Sequence, residues 1–378
     1  MQCRAAILSG FPSARPFADS RPLSIETVTL ADPGPGEVLV RIAAAGLCHS
    51  DLSVMNGDRP RPMPMALGHE ASGIVEKCGS GVDDMKPGDP VAMVFVPSCG
   101  CCAPCAEGRP ALCEPGAAAN GAGTLLSGAT RITWNGAPVY HHVGVSAFAE
   151  YAVVSRRSLV PVPRDMPLDL AALFGCGVLT GVGAAVNTAE LRPGETAAVI
   201  GLGGVGLSAV LGALAAGAAE VIAIDVNQSK LDAATALGAT ATFNAADPDC
   251  AAKVREATRG GVHAAIETAG VASAFSLAWA ITRRGGRTVT ASLPNPSVQM
   301  TLPHVLMVAE ERTIKGSYLG GGVPSRDIPR YMALHAQGRL PVEKLMTGTS
   351  PLSQINEGFD LLASGDAIRH LIVMDGAA

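Results

Sequence analysis

Ten cysteines in 378 residues are unevenly spread, and five of them fall within SCGCCAPCAEGRPALCEPG at 98–116. Cys99, Cys102, Cys105 and Cys113 follow the spacing C-x2-C-x2-C-x7-C, short enough for four thiolates to wrap one ion. Gly100, Pro104 and Gly108 supply the turns such wrapping needs. Four sulfurs around zinc make a closed tetrahedral site with no position for water or substrate, so this loop predicts a structural clamp, not a reactive centre. Iron–sulfur ligation uses related spacings, but no companion cluster or redox motif accompanies this one. Cys101, on the same tight turn, is expected to point away and stay outside the ligand set.

A second centre is predicted from three separated pieces: GLCHSD at 46–51, GHE at 68–70 and GCG at 175–177. Alone, a buried cysteine is a small hydrophobe and a single histidine is more often structural than ligating. Together Cys48, His69 and Cys176 offer two thiolates and an imidazole, which leaves a zinc ion with a fourth position for water or substrate. Asp51 and Glu70 stand beside these ligands, and acids in that position orient and tune them.

A third chemistry is written after TAAVI, where GLGGVG places Gly201, Gly203 and Gly206 in the frame G-x-G-x-x-G, with Gly204 and Val205 between them. The helix-like LSAVLGALAAG follows, then the strand-like EVIAIDV, with Asp225 nineteen residues past Gly206. Strand, turn, helix, strand and terminal acid in that order are the context that makes the glycine frame a dinucleotide site. The glycines let backbone approach a pyrophosphate at the positive end of a helix. Asp225 would accept from the ribose hydroxyls and repel a 2′-phosphate, which favours NAD over NADP, and Lys230 is a candidate for the same ribose.

These groups need elements to hold them. At 378 residues the chain is too long for one ordinary core and reads as two domains. Its 48% apolar and 16% charged residues exclude a disordered protein. A formal net charge of -5 without a Lys/Arg cluster removes the footprint of a nucleic-acid partner. The N-terminus MQCRAAILSG shows no export signal, so a cytoplasmic, reducing setting is expected, where clustered cysteines hold metal in preference to forming disulfides. Residues 196–219 run without a charge and are long enough to span a bilayer, but they divide into a β-branched run, a glycine turn and an Ala/Leu run. That reads as a buried strand, loop and helix in a soluble protein with no membrane partner. AAIETAG at 264–270 and RTVTASL at 287–293 continue as strands with Ala-rich helices between, giving an α/β doubly wound parallel sheet over 178–319.

Taken together, these residues resemble the zinc-dependent alcohol dehydrogenases of the medium-chain dehydrogenase/reductase family. The segment GHEASGIVEKCGSGVDDMKPGDPV (68–91) carries the most specific likeness, and HHVGVSAFAEYAVV (141–154) and INEGFDLLASGDAIRHLIV (355–373) extend it over nearly the whole chain. The resemblance implies a GroES-like, mainly-β catalytic domain over 1–177 and 320–378, with a Rossmann NAD-binding domain over 178–319. It implies two Zn2+ per subunit: a catalytic ion on Cys48, His69 and Cys176, and a structural ion on Cys99, Cys102, Cys105 and Cys113. By position it makes Ser50 the hydroxyl that relays the alcohol proton and Glu70 an acid behind the metal. His49 and Arg369 become pyrophosphate contacts, while Phe95 and Phe148, with Leu293 and Leu319, line the substrate cleft. The implied reaction is reversible hydride transfer between a primary alcohol and NAD, extending to secondary alcohols and ketones, with zinc lowering the pKa of the hydroxyl.

The chain also departs from the family. Many relatives end the proton relay on a histidine three positions after the relay hydroxyl, whereas this chain has Ser53 there, leaving His49, water or a slower relay as the alternatives. A thiol-adduct formaldehyde dehydrogenase is the competing activity. DRPRP (58–62) and GAAANG (116–121) lack that branch's acids and arginine, which argues against it. The long segment between Cys113 and Phe148 favours a homodimer. A zinc-binding regulatory protein without catalysis would leave Cys48, His69 and Cys176 without purpose, and a zinc-free quinone or enoyl reductase would lack both ligand sets.

Overall fold

The computed structural model describes residues 1–374; the last four residues of the C-terminal segment assigned from sequence, 375–378, lie outside the described residues. The chain divides into two compact units. The first comprises residues 1–176, 323–330 and 346 onward, and the second comprises 177–322 and 331–345. Residues 331–345 therefore group with the second unit, although the sequence placed all of 320–378 with the N-terminal half. Their 3-10 turn Val342–Leu345 packs on helix Gly204–Ala215, which explains the difference.

The first unit is built from two sheets. Strands Gln2–Leu8, Leu23–Leu30, Ile132–Trp134, Ala137–His141 and Met65–Ala66 close into a barrel. The second sheet is centred on Glu37–Gly46, buried along nearly its whole length. Ala71–Cys78 and Tyr151–Ser155 pair with that strand, and so does Arg369–Val373 from the far end of the chain. The core inside includes Phe17, Leu47, Met55, Met65, Phe148 and Phe359.

The second unit is the expected doubly wound sheet. Its six strands lie in the order Ala241–Asn244, Glu220–Asp225, Thr196–Ile200, Val262–Glu267, Thr282–Thr290, Thr313–Gly316, all parallel. Thr196–Ile200 is buried at every position, as a strand covered on both faces must be. Helix Gly204–Ala215 is apolar all round and buried from Gly206 to Ala213, which disposes of a membrane reading of 196–219. Among the described residues one other run, Leu168–Thr188, is long and apolar enough to cross a membrane, but it is 83% buried within the protein. The strand expected over 287–293 stops at Thr290. Beyond it the Ser292 hydroxyl donates to Glu267 at 2.7 Å, and Pro294 follows.

A buried polar knot braces the first unit. Glu37, 2% exposed, accepts from Arg131 Nε (2.7 Å), the Ser127 hydroxyl (2.6 Å) and the Gly34 amide (2.8 Å). Burial opposes its charge, but these donors hold its carboxyl below the usual range. His141 lies beside it, fully buried, with Nε2 accepting from the Arg131 amide at 3.1 Å. Burial pushes the imidazole down to about 4. An unfolded histidine takes its proton near 6.5, so the unfolded chain binds more protons between these values and stability falls as pH drops from 6.5 toward 4. The loss from this one group is about 3 kcal/mol. His141→Gln should therefore lose part of the acid sensitivity: its Tm difference between pH 7 and pH 5 should be smaller than that of the wild type. An equal difference in both proteins would show that His141 does not drive it.

Candidate metal centre and nucleotide site

Three of the cysteines in the two ligand-spaced groups stand at the starts of helices. Cys48 caps helix His49–Met55, Cys102 caps Ala103–Ala106 and Cys113 caps Glu114–Ala122. Cys176 instead rides a π-helical turn, Phe174–Val178, a widening that re-aims side chains and recurs at functional sites.

Cys48, His69 and Cys176 are brought together, buried, with their ligand atoms all within 4.8 Å of one another. Cys176 Sγ lies 3.5 Å from His69 Nε2. Zinc bonds of normal length at tetrahedral angles would set sulfur and nitrogen about 3.5 Å apart, so the donors fit that ion. Its bond with Cys176 holds Cys48 well below the ordinary thiol range, while the same bond and burial push Cys176 up. Gly68, directly before His69, has φ +95°, and a Cβ there would sit 2.5 Å from the Phe148 amide, so only glycine permits this turn.

Asp51 orients the imidazole. Its Oδ1 lies 3.1 Å from His69 Nδ1, accepts from the Gly68 amide at 3.1 Å, and lies 3.0 Å from His142 Nδ1. Burial opposes the Asp51 charge, yet the two histidines keep the carboxyl below its usual range. Burial likewise disfavours the charge on His69, but Asp51 and Cys48 outweigh it and push the ring up to about 10. Sequence reasoning missed His142. Its signal was the HH pair at 141–142, but no spacing rule links that pair to position 51. The His142 ring packs edge-on against His69 with centroids 5.4 Å apart.

Glu70 is fully buried and contacts the Arg369 guanidinium, itself 5% exposed. Arg369 is thus enclosed and paired in this structure, and a pyrophosphate contact requires it to turn out of that pair. His49 is exposed and Ser50 half-buried in the first turn after Cys48. The Ser53 hydroxyl donates to the His49 carbonyl at 2.9 Å.

The expected cleft residues separate. Phe95 is half-buried, edge-on to His69 at 5.5 Å between centroids. Phe148 is a correction: it has no exposed surface and packs edge-on against Phe359 at 5.9 Å, because its strand-leading segment turns it into the core. In the second unit Leu293 is 55% exposed. Leu319, by contrast, is 2% exposed in a tight turn and is a core residue rather than a cleft wall.

Cys99, Cys102, Cys105 and Cys113 also converge, all four sulfurs within 4.8 Å of one another. Cys102 and Cys113 are 4.0 Å apart, close to the roughly 3.8 Å edge of a zinc–sulfur tetrahedron. Amides point at these sulfurs: Cys99 N to Cys113 Sγ at 3.1 Å and Cys102 N to Cys99 Sγ at 3.3 Å. Cys101 is not among the four mutually close sulfurs.

In the second unit the glycine turn leads into helix Gly204–Ala215 at the carboxyl end of the sheet. Gly201 has φ +88° and backs onto Ala269, while a Cβ at Gly203 would meet no atom within 4 Å, leaving open space for a phosphate. Asp225 ends its strand with one oxygen accepting from the Leu202 amide (2.6 Å) and the other from Asn227 (2.9 Å). Lys230 is half-buried in the first turn of helix Gln228–Leu237.

Comparison with known proteins agrees with this geometry. Residues 34–164 match the alcohol dehydrogenase GroES-like domain, and residues 204–337 match the zinc-binding dehydrogenase domain. An alcohol dehydrogenase zinc-binding domain protein from Burkholderia ambifaria is 35% identical, with 99% of each chain covered and a TM-score of 0.93. Benzyl alcohol dehydrogenase from Acinetobacter calcoaceticus is 30% identical over 99% of each chain, with a TM-score of 0.92. A zinc-binding dehydrogenase from Sinorhizobium meliloti, bound to NADP, is 25% identical over 99% of each chain at a TM-score of 0.79. With ligand-spaced cysteines and histidine, a glycine turn on a doubly wound sheet and likeness over its whole length, the chain belongs to the zinc-dependent alcohol dehydrogenases of the medium-chain dehydrogenase/reductase family.

Proposed function

We propose that this oxidoreductase transfers a hydride reversibly between a primary alcohol and NAD, with medium-sized apolar or aromatic substrates preferred and secondary alcohols as an extension. The observation that carries the reading is the convergence of Cys48, His69 and Cys176 at ligand distances, apart from a four-sulfur cluster able to serve as a clamp. Cys48, His69 and Cys176 hold one zinc ion, and Cys99, Cys102, Cys105 and Cys113 hold a second. The first ion supplies Lewis-acid activation of a hydroxyl or carbonyl oxygen.

The protein's own groups do the rest. Asp51 fixes the His69 ring so that Nε2 faces the two sulfurs. Glu70 balances Arg369 behind Cys48, so that pair adds no net buried charge to the centre. Ser50 takes the alcohol proton, and because Ser53 spends its hydrogen on the His49 carbonyl, His49 or water carries the proton onward. Phe95 against His69 gives the substrate an apolar wall, and the likeness to a benzyl alcohol dehydrogenase supports the aromatic end of the range. Gly201, Gly203, Gly204, Val205 and Gly206 bind the pyrophosphate. Asp225 and Lys230 bind the ribose, with the Asp225 charge set against a 2′-phosphate.

A homodimer is part of the same reading. Strand Thr313–Gly316 ends its sheet, and the preceding segment exposes Met300 (54%), Val305 (69%) and Val308 (68%), which a second copy would cover. A cytoplasmic setting goes with thiolate ligands, which need reduced sulfur.

Purified protein should carry two zinc ions per chain, one for each cluster. Mild chelation should remove one ion together with NAD-linked alcohol oxidation; a single tightly held ion with activity intact would take Cys48, His69 and Cys176 out of catalysis. Asp225→Gly should raise the NADP-to-NAD ratio of kcat/KM by about tenfold or more, the equivalent of roughly 1.4 kcal/mol. It should also lower Tm through the lost amide bonds, so a lower Tm with an unchanged ratio would leave Asp225 a purely structural role. Asp51→Asn should weaken zinc binding at the first site by about 10–100-fold in a competition titration with a chelator. Unaltered affinity would mean that Asp51 does not orient His69.

A further inference from the structure

Of the ten cysteines, all within the described residues, Cys101 alone is exposed. It occupies the turn of the four-sulfur cluster, and its Sγ lies 3.7 Å from Cys99 Sγ. The Cys101 amide also points at that sulfur, at 3.4 Å, and Gly100 between the two cysteines holds φ +82°. A disulfide needs its sulfurs about 2.05 Å apart, so closing this pair takes a movement of roughly 1.7 Å across the single residue Gly100. An accessible thiol poised beside a second sulfur is the arrangement in which oxidation is captured as a reversible bond.

We propose that Cys101 is an oxidative modification site that disarms the clamp by forming a disulfide with Cys99. A hydroperoxide transfers its outer oxygen to the Cys101 sulfur; the O–O bond breaks, giving a sulfenic acid and water or an alcohol. The Cys99 sulfur then attacks the Cys101 sulfur. The S–S bond forms, the S–O bond breaks, and the oxygen leaves as water with the remaining proton. Two thiols lose two electrons and one peroxide bond gains them. Cys99 is thereby removed from a set of four ligands, and the three that remain hold zinc weakly. This last consequence rests on the clamp reading above; the disulfide itself does not.

The test uses the intact zinc-loaded protein with its metal content counted first. Hydrogen peroxide is added in small molar excess, zinc release is followed with a chromogenic chelator, and remaining thiols are alkylated before fragmentation mass spectrometry. The expected result is a Cys99–Cys101 linkage, with Cys102, Cys105 and Cys113 still alkylated and about one zinc released per chain. Dithiothreitol with added zinc should restore both metal and thiols. Cys101→Ser should abolish the linkage and slow zinc loss by about tenfold, and Cys101→Ala should behave likewise. Equal rates of zinc loss in wild type and both variants would overturn the proposal, as would Cys101 over-oxidised beside a Cys99 that still alkylates. A linkage that forms in protein holding no clamp zinc at the outset would support the modification site while sinking the metal reading alone.

Discussion

One oxygen atom of Asp51 holds the first unit's chemistry in register. A fully buried carboxylate is costly unless partners surround it, and on one oxygen this one accepts from a backbone amide, is bonded to the His69 ring and lies 3.0 Å from His142 Nδ1. Those partners come from different places: the turn before His69, the His69 ring, and the loop after strand Ala137–His141. The carboxylate itself sits on the helix that Cys48 caps. Anything that moves one of these elements leaves a buried charge short of a partner, so the cost of misplacement falls directly on the ligand set. Positive φ at Gly68 belongs to the same constraint, since the turn must bring an amide and an imidazole to one acceptor.

The second unit applies comparable logic to the nucleotide turn. Asp225 is tied by both oxygens to backbone amides, one from the glycine turn itself. The residue proposed to select the cofactor is therefore also a fastener of the glycine turn proposed to hold its pyrophosphate. Glu267, two strands across the sheet, does similar work by accepting from the Gly270 amide and from the Thr290 and Ser292 hydroxyls. Buried acids at strand ends thus shape the rim of the sheet through bonds to nearby backbone and hydroxyl groups.

What the sequence made legible is what depends on short-range spacing. The cysteine clamp, the glycine frame and the order of strands and helices around it are all local, and the parallel sheet follows from continuous apolar runs. Cys48, His69 and Cys176 are far apart, and their meeting was legible only because three brief motifs matched one family. Direction was harder. Phe148 and Phe95 are both phenylalanines in matching segments, yet one is enclosed against Phe359 and the other faces His69. Side-chain aim of that kind depends on tertiary packing. His142 was invisible for a related reason, since its partner is 91 positions away and nothing in its neighbours names that partner. The turn keeps Cys101 outside the four-sulfur set, as its position implies, yet brings its sulfur to 3.7 Å from Cys99 Sγ.

The first unit is stitched from three stretches of chain, and strand Arg369–Val373 lies directly against Glu37–Gly46 at its centre. During synthesis, residues 1–176 leave the ribosome long before that strand exists, and the sheet edge it covers must wait open while the whole second unit is made. The second unit lacks no strand of its sheet by residue 316 and can close first. The unit that holds both cysteine groups is therefore the last to mature, although those cysteines are among the first to be translated. Arg369, which neutralises Glu70 behind Cys48, arrives only at the end.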